Sequence, residues 1–375
     1  MEAVSFTEIG AEQTQAAAPA RDFRVTVADE TGFDFRGAEY RDLYQRAKAS
    51  LFQHPLWLGA VFEQLIPRRD GTACVRTVRR LSDGRLCLAW PMIKRRIGPV
   101  PFMDGVDCDV SDYNPIIVDA SLDVSTLQDA IRRDRSRLPP LGLARIRRIR
   151  ADQASALAPL EGIRFSPMGY HAHEAPLSPD FSSWRKEALS ASFVKTLDQL
   201  RRRLAKRGEL SFREERDPAA IRAAFAQMRE FRKGRFEGDP LLNPLYFDFY
   251  QRVAVAGAPE GFARTFVLSL DSRPISVIFG LSDAERFMFL MIAFDPAPEL
   301  KNFSVGLLTI ESLIEDCIAR RQSVFDLTIG DEPYKQRFGT RHQPMLAAWV
   351  GNPALTAAAD AAFRGVIAWR KRKAG

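Results

Sequence analysis

Nine residues in the C-terminal part of the chain, Arg286–Phe294 (RFMFLMIAF), constrain the fold most. The run is apolar, rich in aromatics and too short to cross a membrane, so it predicts a buried strand. A Pro-containing loop follows, and then Ser304-Val305-Gly306-Leu307 opens a helix. A second apolar run at 324–330 (VFDLTIG) leads directly into a charged nonapeptide at 331–339 (DEPYKQRFG). Ser at the N-cap position, with Gly close behind, leaves backbone N–H groups facing out of the helix start. The helix dipole favours a phosphate at such a place. A strand–loop–helix–strand unit with charged groups after the last strand is where open α/β sheets bind ligands.

A chain of 375 residues is too long for one small core and predicts two domains. Its 46% hydrophobic and 27% charged content belongs to a folded globular protein rather than a disordered one. No apolar run reaches membrane-spanning length. Residues 1–35 are expected to be a flexible lead-in, Ala/Gln/Thr-rich at the start and without the basic start and apolar stretch of a secretion signal. The four cysteines, Cys74, Cys87, Cys108 and Cys317, show no CxxC pair and no His at zinc-site spacing. Reduced thiols and a cytoplasmic location follow as expectations. The net charge of +7 suits acidic partners and is unevenly spread: residues 132–150 hold eight arginines and residues 195–207 hold six Lys and Arg. Phosphate-bearing cofactors, nucleic acid, anionic glycans and anionic lipid all fit such surfaces.

Periodicity predicts the elements of the C-terminal half. A basic amphipathic helix covers 192–207, with Phe193, Leu197, Leu200 and Leu204 on one stripe. A strand at 210–214 is followed by helices at 217–236 and 243–256, each opened by an Asx-Pro pair. Strands at 262–270 and 275–281 flank the turn Asp271-Ser272-Arg273-Pro274. The strand 286–294, a helix at 304–321, the strand 324–330 and a last strand at 345–350 complete the half. The N-terminal half repeats this order: a helix at 41–49 and a second apolar helix after it, a hairpin of 74–79 and 86–93, a helix at 124–135 and a strand at 143–149. The expectation is a duplicated mixed α/β unit with a Pro/Ser-rich linker near 176–184.

These residues resemble a family. Ser304-Val305-Gly306-Leu307-Leu308, Val324-Phe325-Asp326, Gly330-Asp331-Glu332-Pro333-Tyr334-Lys335 and Arg337-Phe338-Gly339 are similar to the signature of GNAT-like acetyltransferases of the CelD type, found beside cellulose and exopolysaccharide genes. That group is in turn similar to the Fem-type peptidyltransferases. Lys233-Gly234-Arg235-Phe236 stands where the family has a helix ending in Arg-Trp, and Asp112-Tyr113-Asn114-Pro115 meets its Asp-Tyr-Asn motif. The resemblance implies an α/β fold of two tandem GNAT-like domains, 36–183 and 184–375. It also implies acyl transfer from acetyl-CoA or another acyl-CoA to an amine or hydroxyl of a sugar, polysaccharide or cell-envelope precursor. Val305 departs from the family's Ser-Pro-Gly; Val keeps its N–H, so the anion site survives on a less pre-set backbone.

Acyl transfer needs a base for the acceptor, stabilisation of the oxyanion and protonation of the departing sulfur. Asp331 and Glu332 are the expected bases, with burial past the strand raising their pKa; Tyr334 is the acid and Lys335 the charge partner. Ser304, Val305, Gly306 and Leu307 are the expected donor site. Asp326, Arg235, Asp112 and Tyr113 are the expected acceptor contacts; the alternative for Asp326 is a structural ion pair with Arg235 or Arg337. The competing reading of the charged block is a turn with solvated Lys335 and Arg337. His171 and His173 alternate as on a strand and, with Glu174, could bind a metal, but no third ligand stands at motif spacing, so no metal is expected. The basic helix admits tRNA as partner, in an aminoacyl-tRNA-dependent Fem-like reaction. A non-catalytic role beside polysaccharide-synthesis proteins is the third reading.

Overall fold

The computed structural model describes residues 23–114, 116–134, 142–158, 160, 162–235 and 238–374. Residues 1–22 of the expected lead-in, Pro115, Phe236, Arg135 and Arg137 lie outside the described residues. Of the rest of that lead-in, Val25–Glu30 is ordered as strand β1, antiparallel to β2 (Thr72–Arg80). Four more strands of the N-terminal half follow: β3 (Leu86–Ile97), β4 (Val100–Gly105), the short β5 (Ile117–Val118) and β6 (Leu143–Arg150). The half closes with β7 (Arg164–Pro176). The C-terminal half contributes β8 (Leu210–Glu215), β9 (Ala263–Leu270), β10 (Arg273–Ser282), β11 (Arg286–Phe294), β12 (Val324–Ile329) and β13 (Arg341–Gly351).

All of these strands form one mixed sheet in the order β1-β2-β3-β4-β6-β13-β7-β12-β11-β10-β9-β8, with β5 beside β3. The order is symmetric about its centre. In each half antiparallel strands lead to one parallel pair, β4 with β6 and β11 with β12. A crossover helix joins the members of each pair, Val124–Asp134 in the first half and Val305–Ala319 in the second. The last strand of each half then crosses over: β7 pairs with β12, β13 pairs with β6, and β7 and β13 pair with each other. The expected duplication is present, and its two copies are tied by an exchange of strands.

Helix caps and apolar stripes account for the layers on either face. Asp217 accepts from the N–H groups of Ala219 and Ala220 and opens Pro218–Arg232; Asn243 accepts from the Leu245 N–H and opens Pro244–Gly257. These two helices and Ala38–Arg46 bury Phe225, Phe249, Tyr250 and Tyr40 in one cluster that spans both halves. On the opposite face Ala191–Ala205 and Val305–Ala319 bury Phe193, Leu197, Leu204, Leu313, Ile314 and Cys317 against Phe287 and Phe325. The expected linker is shorter than its composition suggested. Strand β7 runs to Pro176, and Asp180 already caps the helix Phe181–Ala188.

The strand exchange generates a prediction about folding. With the chain cut inside 177–180, each fragment lacks a strand that its own sheet pairs with. Neither fragment alone should unfold cooperatively, whereas the two co-expressed should purify as one complex with a single thermal transition. Two fragments that fold separately and do not associate would contradict this.

Candidate active site

The site begins with a break in the sheet. The register of β11 with β12 lasts only from Arg286↔Val324 to Met288↔Asp326, after which the two strands part. Thr328 turns β12 away: its φ is +56°, a left-handed conformation that a β-branched residue rarely adopts. Asp326 Oδ1 accepts the Thr328 N–H at 2.8 Å, and the Thr328 hydroxyl donates to the Phe289 carbonyl at 3.3 Å. The pairing with β7 slips at the same point, between Asp326 and Ile329. Strain held by surrounding contacts therefore opens a wedge between two parallel strands. Gly330 follows with φ +111°, where an added Cβ would lie 2.6 Å from the Glu332 carboxylate.

A cleft of about 760 Å³ occupies this side of the sheet. Ile292, Phe294, Leu307 and Ile310 give it an apolar wall, with Arg235, Lys301 and Tyr334 as its polar groups. Ser304, Val305 and Gly306 line it too, so every expected donor-site residue is in one place. Ser304 is left-handed, φ +46°, and its side chain caps nothing. The Leu307 and Leu308 N–H groups bond the Ser304 carbonyl at 2.9 and 3.3 Å, so the amides that this 15-residue helix presents to the cleft are those of Val305 and Gly306. A Cβ on Gly306 would come within 3.2 Å of the Phe294 ring, so glycine lets the helix start lie close to β11. The Arg235 guanidinium stacks 3.9 Å over that same ring. Tyr334 is pushed above the ordinary phenol range by burial and by the Glu332 charge, so it stays protonated through neutral pH.

The remaining expected residues do not line the cleft; most of them form the framework behind it. Asp326 is fully buried, and its partners are not the expected Arg235 or Arg337. Tyr113 donates to it at 2.8 Å, Arg286 lies at 3.1 Å and Arg150 at 3.9 Å. Glu174 joins the two guanidiniums, at 2.7 Å from Arg150 and 3.3 Å from Arg286. Asp112 sits beside this network, its carboxyl pushed up by burial against the pull of Arg148, which is 3.4 Å away. Sequence reasoning missed Arg286, Arg150 and Glu174 because their partners are distant in the chain.

The charged block after β12 divides its residues between two tasks. Lys335 is 2% exposed and donates to the Ile329 carbonyl at 2.6 Å, with Glu332 at 3.0 Å. It therefore pins the helical turn Pro333–Gln336, which carries Tyr334, to the strand end. Asp331 faces histidines: His171 Nδ1 at 3.0 Å and His173 Nε2 at 3.1 Å, both from Oδ1. His173 also meets Thr340 at 3.2 Å, and the His342 ring lies 5.0 Å from that of His171. Burial pushes the Asp331 carboxyl up, but the bonds and charges of His173 and His171 outweigh it and hold the pKa low. This reverses the expectation of a raised Asp331. Glu174, read beside the two histidines, instead joins the arginines. Among the described residues no group of His, Cys, Asp and Glu is arranged to hold a metal ion.

Comparison with known proteins agrees with this geometry. Residues 191–336 match the family model described as an acetyltransferase (GNAT) domain. The C-terminal half thus carries an acyltransferase domain, and the chain is an enzyme of that class. No curated protein sequence matches the chain. Among solved structures the fold is similar to FemX, at TM-score 0.58 and 11% identity over 89% of this chain and 100% of that one. It is also similar to L-PGS from Bacillus licheniformis, at TM-score 0.52 and 12% identity over 88% and 98%. A third is the C-terminal domain of a lysylphosphatidylglycerol synthetase from Agrobacterium fabrum, at 0.51 and 14% over 87% and 93%. At these identities the likeness establishes the fold.

Two predictions follow from the charges. Arg286→Met strands a buried carboxylate and should cost about 3–5 kcal/mol in urea unfolding, part of which Asp326→Leu should restore in the double variant. A loss below about 1 kcal/mol would contradict the buried network. Asp331, with its folded pKa depressed, stabilises the protein fully above the usual carboxylate range and loses that contribution as pH falls through the lowered value. The stability gap between wild type and Asp331→Asn should be open near neutral pH and close below about pH 4; a gap independent of pH would refute the assignment.

Proposed function

We propose that the protein transfers an acyl group, most simply acetyl, from acyl-CoA to an amine or hydroxyl of a sugar, polysaccharide or cell-envelope precursor. The observation that carries the reading is the cleft beside the end of β11, where β12 parts from it, with an uncapped helix start at one wall and Tyr334 at another. The donor fits its chemistry. Amides of Val305 and Gly306 suit a diphosphate, the wall of Ile292, Phe294 and Ile310 suits an acylated thiol arm, and the edges of the parted strands suit that arm's amide groups. The domain units are taken as 36–183 and 184–375, and the setting as cytoplasmic. No described helix is long and apolar enough to cross a membrane.

In this reading the acceptor nitrogen or oxygen attacks the thioester carbonyl and gives up its proton as the carbon–sulfur bond breaks. Tyr334 protonates the leaving thiolate. Asp331, held ionised, is the weaker choice as base by itself; it accepts a hydrogen bond from His171 Nδ1, leaving Nε2 of the half-exposed imidazole to take the acceptor's proton. Glu332 and Lys335 hold the Tyr334 turn in place. Asp112, Tyr113 and Asp326 shape the acceptor side where the two halves meet, and Arg235 holds the donor's charged end from across the cleft.

Thermal unfolding tests the donor. Acetyl-CoA at about a hundred times its dissociation constant should stabilise the protein by roughly 2.7 kcal/mol. Tyr334→Phe should keep that shift and lose about a hundredfold in kcat. No shift with any acyl-CoA would remove this reading. The aminoacyl-tRNA-dependent alternative, which draws on the exposed basic residues of helix Ala191–Ala205, would then be next.

A further inference from the structure

The helix Ala191–Ala205 and the two residues that follow it carry six basic side chains that have no single task. Arg201 points inward to the buried Glu311, 2.9 Å away, and Arg202 turns back onto the Asp198 carbonyl. Arg203 and Arg207, one helical turn apart, instead converge on the ring of Phe303, at 5.2 and 5.8 Å from its centroid. Phe303 is 5% exposed and immediately precedes Ser304, the residue that opens the cleft's helix. Both arginines are exposed, and among the described residues no carboxylate pairs with either.

That combination is unusual for this chain. Where two other arginines share a ring, Arg95 and Arg145 over Phe102, both also pair with Asp104. Two guanidiniums gathered on one ring repel each other, and among the described residues no ion pair offsets them there. Stacking on an aromatic face fixes the plane of a guanidinium and leaves its N–H edge free for an oxyanion. Lys301, two residues before Phe303, lines the cleft and extends the positive rim into it. A diphosphate is already served by the helix start, so this second positive centre outside it calls for a second, separate phosphate. A phosphate monoester, carrying close to two negative charges at neutral pH, answers two neighbouring guanidiniums.

We infer that Arg203 and Arg207, seated on Phe303, form a subsite for a ribose phosphate monoester at the far end of the donor, the 3′-phosphate of coenzyme A. The inference rests on the acyl-CoA reading and adds to it a residue-level basis for selecting a 3′-phosphorylated donor.

Calorimetric titration of the full chain with CoA and with 3′-dephospho-CoA tests it, using wild type, Arg203→Ala, Arg207→Ala and Arg203→Lys. Wild type should bind CoA about tenfold tighter than dephospho-CoA, the size of one good charge-assisted contact. The gap should vanish in both Ala variants, persist in part with Lys, and shrink with added salt. Dephospho-CoA affinity should be unchanged throughout, which also shows that the variants remain folded. Equal affinities of wild type for the two ligands would overturn the subsite and leave acyl-CoA as donor. No binding of either ligand would overturn the subsite together with the reading beneath it, and tight tRNA binding in that case would reassign the arginines to RNA phosphates.

Discussion

The buried carboxylate of Asp326 is the point on which both the fold and the cleft depend. It lies where the two copies of the α/β unit meet, and it takes a hydrogen bond or an ion pair from each. Tyr113 and Arg150 come from the first half, Arg286 and the Thr328 amide from the second. A charge in that position is tolerable only because several donors surround it, so the network fixes one relative placement of the four segments. The exchange of β7 and β13 runs through the same region, with Glu174 of β7 closing the ring of charges.

That placement also makes the cleft. Asp326 holds the amide of Thr328 in a left-handed turn, and the turn ends the pairing of β11 with β12 after three rungs. Strain at one residue is supported by the most heavily bonded carboxylate in its neighbourhood. The N-terminal half has the same parallel pair with the same three rungs, Phe102↔Leu143 to Asp104↔Arg145, yet fills the space differently. There Asp104 and Arg145 bond to each other across the pair. One copy thus closes its pair with an ion pair while the other opens a binding cleft, a division that duplicated units allow.

Much of this was legible from local pattern. Strands β11 and β12 and the helix between them follow from apolar runs and a Ser/Gly start, and that start does line the cleft with Tyr334. Long-range pairing was not legible. Strand β7 alternates only around its two histidines: it also holds Pro167 and Gly169 and lies between β13 and β12, two strands of the other half. His171 and His173 showed strand alternation in the sequence, but their partner Asp331 is about 160 residues on, and nothing local points to it. Asp326 was expected to pair with Arg235 or Arg337, and the cation proved to be Arg286 on the neighbouring strand. Lys335, read as a charge for the reaction, is spent on a carbonyl and a neighbouring carboxylate.

The measurement that bears most directly on the whole account is a crystal structure with a non-hydrolysable acyl-CoA analogue. The account predicts the thiol arm between β11 and β12, the diphosphate on the amides of Val305 and Gly306, and the Tyr334 hydroxyl beside the sulfur position. An analogue bound away from these strands, or an empty wedge at saturating concentration, would contradict it.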